Sequence, residues 1–524
     1  MQRIPSASVI SRPAAAWLGG LLVAAAGVWV FRGALNYFFS ADDFPALARA
    51  AGLLPRLRDP WRLLSGQLYF DLLRPLAGLD PRGYHAASLL LHVACSLTLY
   101  ALLRCRLSTP AALAGAGCFA THPSHYAAAY WLSAVGAPMA LLLALATLAA
   151  ALRPDHARWL AVPLFAAALL ARESVLLLPL ALWALLDWES RHRPGRRTRA
   201  WRDPLVLALA ALALALAVYL ATADVMGTHS GPGAYRLEFG RATLENLFTY
   251  LGWSANFLLP TVLRFQDAVD PLVYGWGAGL LVLWLAGLLS SGLRRRGWLV
   301  AGLLYLALLL PALPLAHHTY RYYLYAPLAG FAWCVAAACD LLFERLWPAP
   351  RRTQSTRRLL PATAVAGHAD TDPRTWGLTL VVVALLTVNA GMLVHKVETM
   401  PFSVEPTLRA DAVVDRALIA ERAIADLRKS TLPAGTRLLL WSPIGRSLAG
   451  DTGESYFEQN VRTALFEGLA IRIFFPGVDS VRFVSAYRSM PEPYRYAVYR
   501  PDGTLRVASP AELDSVVAGF TPGR

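Results

Sequence analysis

Charge is what this chain has least of. Of its 524 residues only 16% are Asp, Glu, Lys or Arg, while 56% are hydrophobic and the mean hydropathy is +0.43. A soluble globular domain carries about a quarter charged residues, so a soluble protein is excluded for the bulk of the chain. Lysine is almost missing: Lys396 and Lys429 are the only two, and the net charge of +15 is carried by arginine. Cysteine is sparse as well, and all five (Cys95, Cys105, Cys118, Cys334, Cys339) lie in or beside apolar runs. Neither a disulfide framework nor a CxxC metal site is indicated, and small core residues account for them. Arg3 and Arg12 precede the first apolar run and no small-residue cleavage site clearly follows it, so no cleavable signal peptide is expected.

What is present is length and greasiness in blocks. Eleven spans are predicted, at 14–34, 84–104, 110–130, 134–152, 157–171, 174–188, 204–222, 272–292, 297–316, 322–346 and 376–395. Segment 244–262 carries Glu245, Asn246, Asn256 and Pro260; if it crossed, Arg294–Arg296 would fall outside, so it reads as an interfacial or re-entrant helix on the outer side. The short-loop arginine clusters (Arg104 and Arg106, Arg153 and Arg158, Arg191 to Arg202, Arg294 to Arg296, Arg351 to Arg358) then face the cytoplasm. The basic excess is thereby a matter of orientation, with membrane lipids as surroundings and no nucleic-acid partner. The N-terminus is expected inside and the C-terminal tail outside.

The expected fold class is mainly α: a polytopic membrane protein with a small extracytoplasmic α/β domain. Residues 1–395 form the membrane part, including the outer loop 36–83, and 396–524 the soluble part. In the latter a helical stretch at 406–429 precedes the strand-like "TRLLLW"; a second helix-like stretch at 455–469 follows. That stretch leads into "IRIFF", then "VRFVSAY" and "YRYAVYRPDGTLRVAS", the last reading as two strands around a Pro-Asp-Gly turn. The Arg-, Pro- and Thr-rich stretch 347–375 reads as a cytoplasmic linker.

In "NYFFSADDFPAL", Asp42 and Asp43 follow directly on the first span, at the outer face. In the loop they open, Phe44, Leu47, Ala51 and Leu54, and again Trp61, Leu64, Leu68 and Leu72, recur at helical spacing, which predicts two amphipathic helices along the membrane surface. Its arginines (49, 56, 58, 62, 74 and 82) read mostly as snorkelling to headgroups, though basic groups here can also hold a lipid phosphate. Topology brings four more polar groups to the same side. They are Tyr84 and His85 at the start of span two, His122 and His125 in "THPSHY", Arg172 and Glu173 in "ARES", and His317, His318 and Arg321 in "AHHTYRYYLYAP". Each alone has a bland account, as a helix-end histidine, a local ion pair or an aromatic belt; their convergence predicts a shared polar cavity. A carboxylate there can deprotonate an acceptor hydroxyl and an arginine can stabilise a departing phosphate, as transfer of a sugar from a lipid phosphate requires.

The runs "LLRPLAGLDPRGYHAASLLLHVACSLTLYALLR", "CFATHPSHYAAAYWLSA", "ARESVLLLPLALW" and "RYYLYAPLAGF" resemble the integral-membrane GT-C glycosyltransferases. The branch resembled is that of the bacterial and animal O-mannosyltransferases with tetratricopeptide repeats (the TMTC-like group), over most of 30–346 and without the repeats. The resemblance implies an inverting transferase of the bacterial cytoplasmic (inner) membrane with a polyprenyl-phosphate sugar donor and a glycan, lipid or protein acceptor. It implies Asp42 or Asp43 as catalytic residue. Arg74 (with Pro75), Tyr84, His85, His122, His125, Arg172, Glu173, His318 and Arg321 would bind donor phosphate or substrate. A divalent cation (Mg or Mn) between Asp and phosphate occurs in some branches and not in others, and that alternative stays open; no other cofactor is implied. Ala127 stands where the family has an acid, "WLSAVG" where it has "WxSGR", and "YRYYLYAP" where it has "ERYLYLP". Two further readings remain: a transporter or flippase of a lipid-linked glycan, and a non-catalytic GT-C-like envelope protein.

Overall fold

The apolar runs fold as helices, and the computed structural model describes residues 12–192, 202–223, 237–255, 271–289, 292–315, 318–347, 372–401, 409–441, 456–484, 494–499 and 503–508. His317, most of the linker at 347–375, and Pro501 and Asp502 of the expected turn lie outside the described residues. In chain order the helices are α1 (Arg12–Phe31), α2 (Asp43–Ala50), α3 (Tyr69–Ala77), α4 (Pro81–Arg104), α5 (Thr109–Thr121), α6 (Tyr126–Tyr130) and α7 (Gly136–Ala151). Then come α8 (Ala161–Ala171), α9 (Leu178–His192), α10 (Pro204–Ala223), α11 (Arg241–Ala255), α12 (Pro271–Leu288), α13 (Gly292–Leu309) and α14 (Leu328–Leu346). The last are α15 (Pro373–Thr399), α16 (Ala412–Arg428), α17 (Tyr456–Ala464) and α18 (Leu469–Phe474).

Among the described residues, six helical segments are long and apolar enough to cross a bilayer: Ala14–Asn36, Pro81–Arg104, Leu132–Ala151, Pro204–Ala223, Pro271–Leu288 and Pro373–Thr399. The chain is a multi-pass membrane protein. Several of the other expected spans are assembled from pieces. The run 110–130 is not one helix: α5 ends at Thr121, His122 is extended (ψ 122°), and a 3-10 turn over Pro123–His125 leads into α6. The cause is Pro123, which disfavours helical backbone at the residue before it and offers no N–H to the preceding turn. Span 322–346 likewise starts as a 3-10 turn, Arg321–Leu324, before α14. The described part of segment 244–262 is helical, within α11 (Arg241–Ala255), and lies in the bundle with Asn246, Tyr250, Trp253 and Ser254 buried, while 256–262 lie outside the described residues. The Asn246 amide donates to the carbonyls of Leu313 (2.9 Å) and Leu315 (3.4 Å), so a polar residue of the run satisfies the chain that leaves α13.

α5 is the axis of the bundle. Every one of its residues is buried, and it packs on α1, α4, α14 and α15. Its sequence, "TPAALAGAGCFAT", explains this, because small side chains let backbones approach where no hydrophobic effect drives helices together. A Cβ at Gly115 would stand 2.5 Å from the Ala332 carbonyl oxygen of α14. Gly115→Leu is therefore expected to separate α5 from α14 and lower the thermal unfolding midpoint of the purified protein by several degrees, about 1–3 kcal/mol of overpacking or more. Gly377→Leu, on α15 where nothing lies within 4 Å, leaves the midpoint in place; equal effects of the two would refute close packing at Gly115.

The loop 36–83 holds two short helices, as predicted, but the second starts late. The chain around Trp61 is irregular, with Arg62 at φ 53°, and a π-turn over Leu64–Leu68 precedes α3. α2 buries Phe44 and Leu47 as its spacing requires. The C-terminal part is the predicted α/β unit: β1 (Thr436–Trp441), β2 (Val478–Val484), β3 (Tyr494–Tyr499) and β4 (Leu505–Ala508) in the order β2-β1-β3-β4. β1 runs parallel to β2 and β3, and β4 antiparallel to β3. This unit docks on the loop: Phe39, Phe44 and Tyr84 share a core with Leu465 and Ile471, and the Phe38 and Phe474 rings lie 5.4 Å apart. Asp411, which caps α16 at the N–H groups of Val413 and Val414, also accepts a hydrogen bond from the Tyr126 hydroxyl of the bundle.

Candidate active site

The two neighbouring acids have opposite surroundings. Ala41, just before them, sits at φ 46°, a left-handed conformation that costs a non-glycine residue about 1 kcal/mol or more. Its N–H is held by the Ala464 carbonyl oxygen at 3.2 Å, so the docked domain helps to fix the strained step. The step sends Asp43 inward. Its Oδ2 accepts from the Ser40 N–H (2.9 Å), and its Oδ1 accepts from both the N–H and the hydroxyl of Ser133 (2.7 Å each). It is 1% exposed, and burial lifts its carboxyl to about 7 against the pull of those donors. No substrate can reach it. Asp42 points the other way and is exposed, though walled closely enough that its carboxyl is raised by the surrounding protein. The guanidinium groups of Arg416 and Arg62 pull it back down. The structure thus separates an anchor, Asp43, from a reactive candidate, Asp42. Asp43→Asn puts an amide N–H₂ where only acceptors fit, and is expected to lower stability by about 1–3 kcal/mol, read as a fall in the thermal midpoint. An unchanged midpoint would show the anchor to be dispensable.

Arg172 and Glu173 do not pair with each other. α8 stops at Ala171, and Arg172 is extended (φ −164°, ψ 139°) before a 3-10 turn over Glu173–Val175, so the two side chains diverge. Glu173 is instead gripped by Arg62: Nη2 donates to Oε1 at 2.5 Å and Nε to Oε2 at 3.1 Å, while the Trp61 indole N–H donates to Oε2 at 3.2 Å. The Arg62 guanidinium also lies 4.5 Å over the Trp61 ring. Burial alone would raise the Glu173 carboxyl, but Arg62, with Arg172 behind it, holds it at about 2. Glu173 is a fixed anion. Arg172 is 5% exposed and lies over the rings of Tyr322 (5.3 Å) and Tyr323 (5.5 Å). Among the described residues no carboxylate and no carbonyl pairs with its guanidinium. His318 approaches the same tyrosines, its Nε2 3.0 Å from the Tyr322 hydroxyl, and burial with the charges of Arg62 and Arg172 lowers it to about 4, so it is neutral at physiological pH.

Asp42, Arg62, Arg172, Glu173 and His318 therefore form one cluster floored by Tyr322 and Tyr323. The remaining residues singled out in the sequence lie elsewhere. Arg74 donates to the Ala50 carbonyl (3.3 Å) and the Tyr84 hydroxyl to the Gly78 carbonyl (3.0 Å), so both brace the loop. His85 Nδ1 is 3.2 Å from the Ala129 carbonyl. His122 Nε2 meets the Ser254 carbonyl at 3.0 Å, and its Nδ1 accepts from the Ser124 N–H at 3.2 Å. His125 is buried among the rings of His92, Phe119 and Tyr325, and Arg321 lies 4.8 Å over Trp253. The His-Pro-x-His stretch builds the break between α5 and α6. Both oxygens of Asp43 are occupied by donors, which leaves Asp42 as the open acid of the pair. Sequence reasoning missed Arg62, Trp61, Ser133 and Arg416 as members of the site or its support. Arg62 was one of six loop arginines, with nothing in its spacing to mark it.

Solved structures similar to this chain include ArnT from Cupriavidus metallidurans bound to undecaprenyl phosphate and the same protein in the apo state. The first is 14% identical, with 97% of this chain and 95% of that chain covered and a TM-score of 0.48. The second is 13% identical, with 96% and 94% covered and a TM-score of 0.48. No family model and no curated protein matches the chain. A likeness at this identity assigns no activity, which must be argued from the site.

Proposed function

We propose that this chain is a GT-C-type glycosyltransferase moving a sugar from a polyprenyl-phosphate donor to an acceptor hydroxyl, with inversion, at the outer face of the cytoplasmic membrane. The observation that carries this reading is an open carboxylate, Asp42, in one cluster with a buried guanidinium, Arg172, that has no anion of its own. Asp42 takes the proton from the acceptor hydroxyl as the acceptor oxygen attacks the anomeric carbon. The bond from that carbon to the phosphate oxygen breaks, and the lipid phosphate leaves with the electron pair. Arg172, backed by Arg62, meets the charge that develops there. Glu173 cannot be the base, since it is held at about 2 with both oxygens engaged; its role is to keep Arg62 pointing into the site. Tyr322 and Tyr323 are buried beneath Arg172, and their faces hold its guanidinium in place.

The test is to incubate the purified full chain with candidate polyprenyl-phosphate sugars and an acceptor pool and to measure released polyprenyl phosphate. Acceptor-dependent release is expected. Movement of the intact lipid-linked sugar across proteoliposomes, with no release from any donor, would favour the transporter reading instead.

A further inference from the structure

The ends of α1 and α15 nearest the α/β unit frame an open groove of about 550 Å³, whose lining includes Trp29, Arg32, Gly33, Met392, His395 and Glu398. Its walls are apolar and face outward: Trp29 is 42% and Met392 60% exposed, on two helices apolar enough to span a bilayer. In a membrane such walls are covered by acyl chains. The rim is different, because it carries two opposite charges that do not meet. The Arg32 guanidinium folds 4.7 Å over the Trp29 ring and donates to the Trp29 carbonyl; among the described residues it has no ion pair. Glu398 accepts from the Tyr130 hydroxyl and lies 3.6 Å from His395 Nδ1, with its side chain 21% exposed. Glu398 and Tyr130 close directly on the backbone at residue 33, where a Cβ would strike Glu398 Oε1 and the Tyr130 hydroxyl, so the position requires glycine.

Separated plus and minus charges above an apolar trough are complementary to a lipid whose headgroup carries both signs. An anionic headgroup alone would satisfy Arg32 and be repelled by Glu398. A quaternary ammonium has no N–H to give a carboxylate, whereas a primary ammonium has three. We infer that this groove is a binding site for a phospholipid with a phosphate and a primary ammonium, the phosphate on Arg32 and the ammonium on Glu398. It is separate from the Asp42 cluster and does not depend on the transferase reading.

The test is native mass spectrometry of the purified full chain. The protein is loaded at pH 8, above the ordinary histidine range, with equimolar phosphatidylethanolamine, its N-methyl and N,N-dimethyl forms, phosphatidylcholine and phosphatidylglycerol. Retention by the unmodified protein is expected to fall with each methyl group, phosphatidylcholine being held roughly tenfold less, the size of one partly exposed charge-assisted hydrogen bond. Glu398→Gln is expected to flatten the series, and Arg32→Gln to lower retention of every member of it. Equal retention across the methylation series, or preference for phosphatidylglycerol, overturns the site whatever the variants do. A Glu398→Gln protein that keeps the full preference overturns the role of Glu398.

Discussion

Asp42→Asn abolishes most of the sugar transfer and leaves the fold alone. The expected loss in kcat is about 10²–10⁴-fold, the usual worth of a positioned general base. The substitution keeps size and polarity and removes only the ability to take a proton. Asp42 is exposed and its side chain caps nothing, so the thermal midpoint should move by no more than an ordinary surface change, about 0.5 kcal/mol. This split separates it from Asp43→Asn, where stability is lost first. The pH profile adds a second readout. Transfer needs Asp42 ionised, so the rate climbs as pH rises through its pKa. Surrounding protein raises that pKa above the ordinary carboxylate value of 3.8, with Arg416 and Arg62 acting against the rise. Arg416→Gln removes a charge that favours the ionised form, so the acid limb should move to higher pH. An Asp42→Asn protein with undiminished transfer, or an acid limb insensitive to Arg416, would remove Asp42 as the base.

How far the sequence reached is clearest at Glu173. Its place at a break between two spans was legible, because an acid at membrane depth beside a helix end is conspicuous. Its partner was not. Arg62 lies 111 residues earlier in a loop where only its φ of 53° and the packing against Trp61 distinguish it from five other arginines. Apolar runs and turn chemistry are local properties, so the first helix of 36–83, the later part of the second and the strands could be read from them. Spans interrupted by Pro123 looked continuous because composition over twenty residues hides one extended residue. Histidines at span ends read ambiguously for a related reason: backbone carbonyls freed at a helix break explain a polar residue there as well as a cavity does, and His85 and His122 sit on such carbonyls while His318 joins the cluster. The two acids could not be told apart from their order, since which one turns inward depends on Ser133, ninety positions on in the chain.

Arg172 is the second residue on which the reading stands. Arg172→Leu is expected to lower kcat/KM for the lipid-phosphate donor by about 10²–10³-fold, the scale of losing one preorganised donor to a developing anion. Arg172→Lys keeps the charge without the planar fork and without as good a stack on Tyr322 and Tyr323, and should fall between, roughly tenfold down. Because the guanidinium has no protein anion to leave behind, both variants should fold normally. Glu173→Gln behaves differently. It leaves Arg62 without its bidentate partner, and Arg62 is only partly covered, so the stability loss is a discounted fraction of what a fully buried pair would show. The freed Arg62 can then swing toward Asp42, depressing its pKa and moving the acid limb to lower pH, the direction opposite to Arg416→Gln. Donor titrations of the three variants at fixed acceptor decide the matter. If Arg172→Leu binds and turns over donor as the unmodified protein does, the phosphate is held elsewhere and the cluster is an internal ion network with no part in transfer.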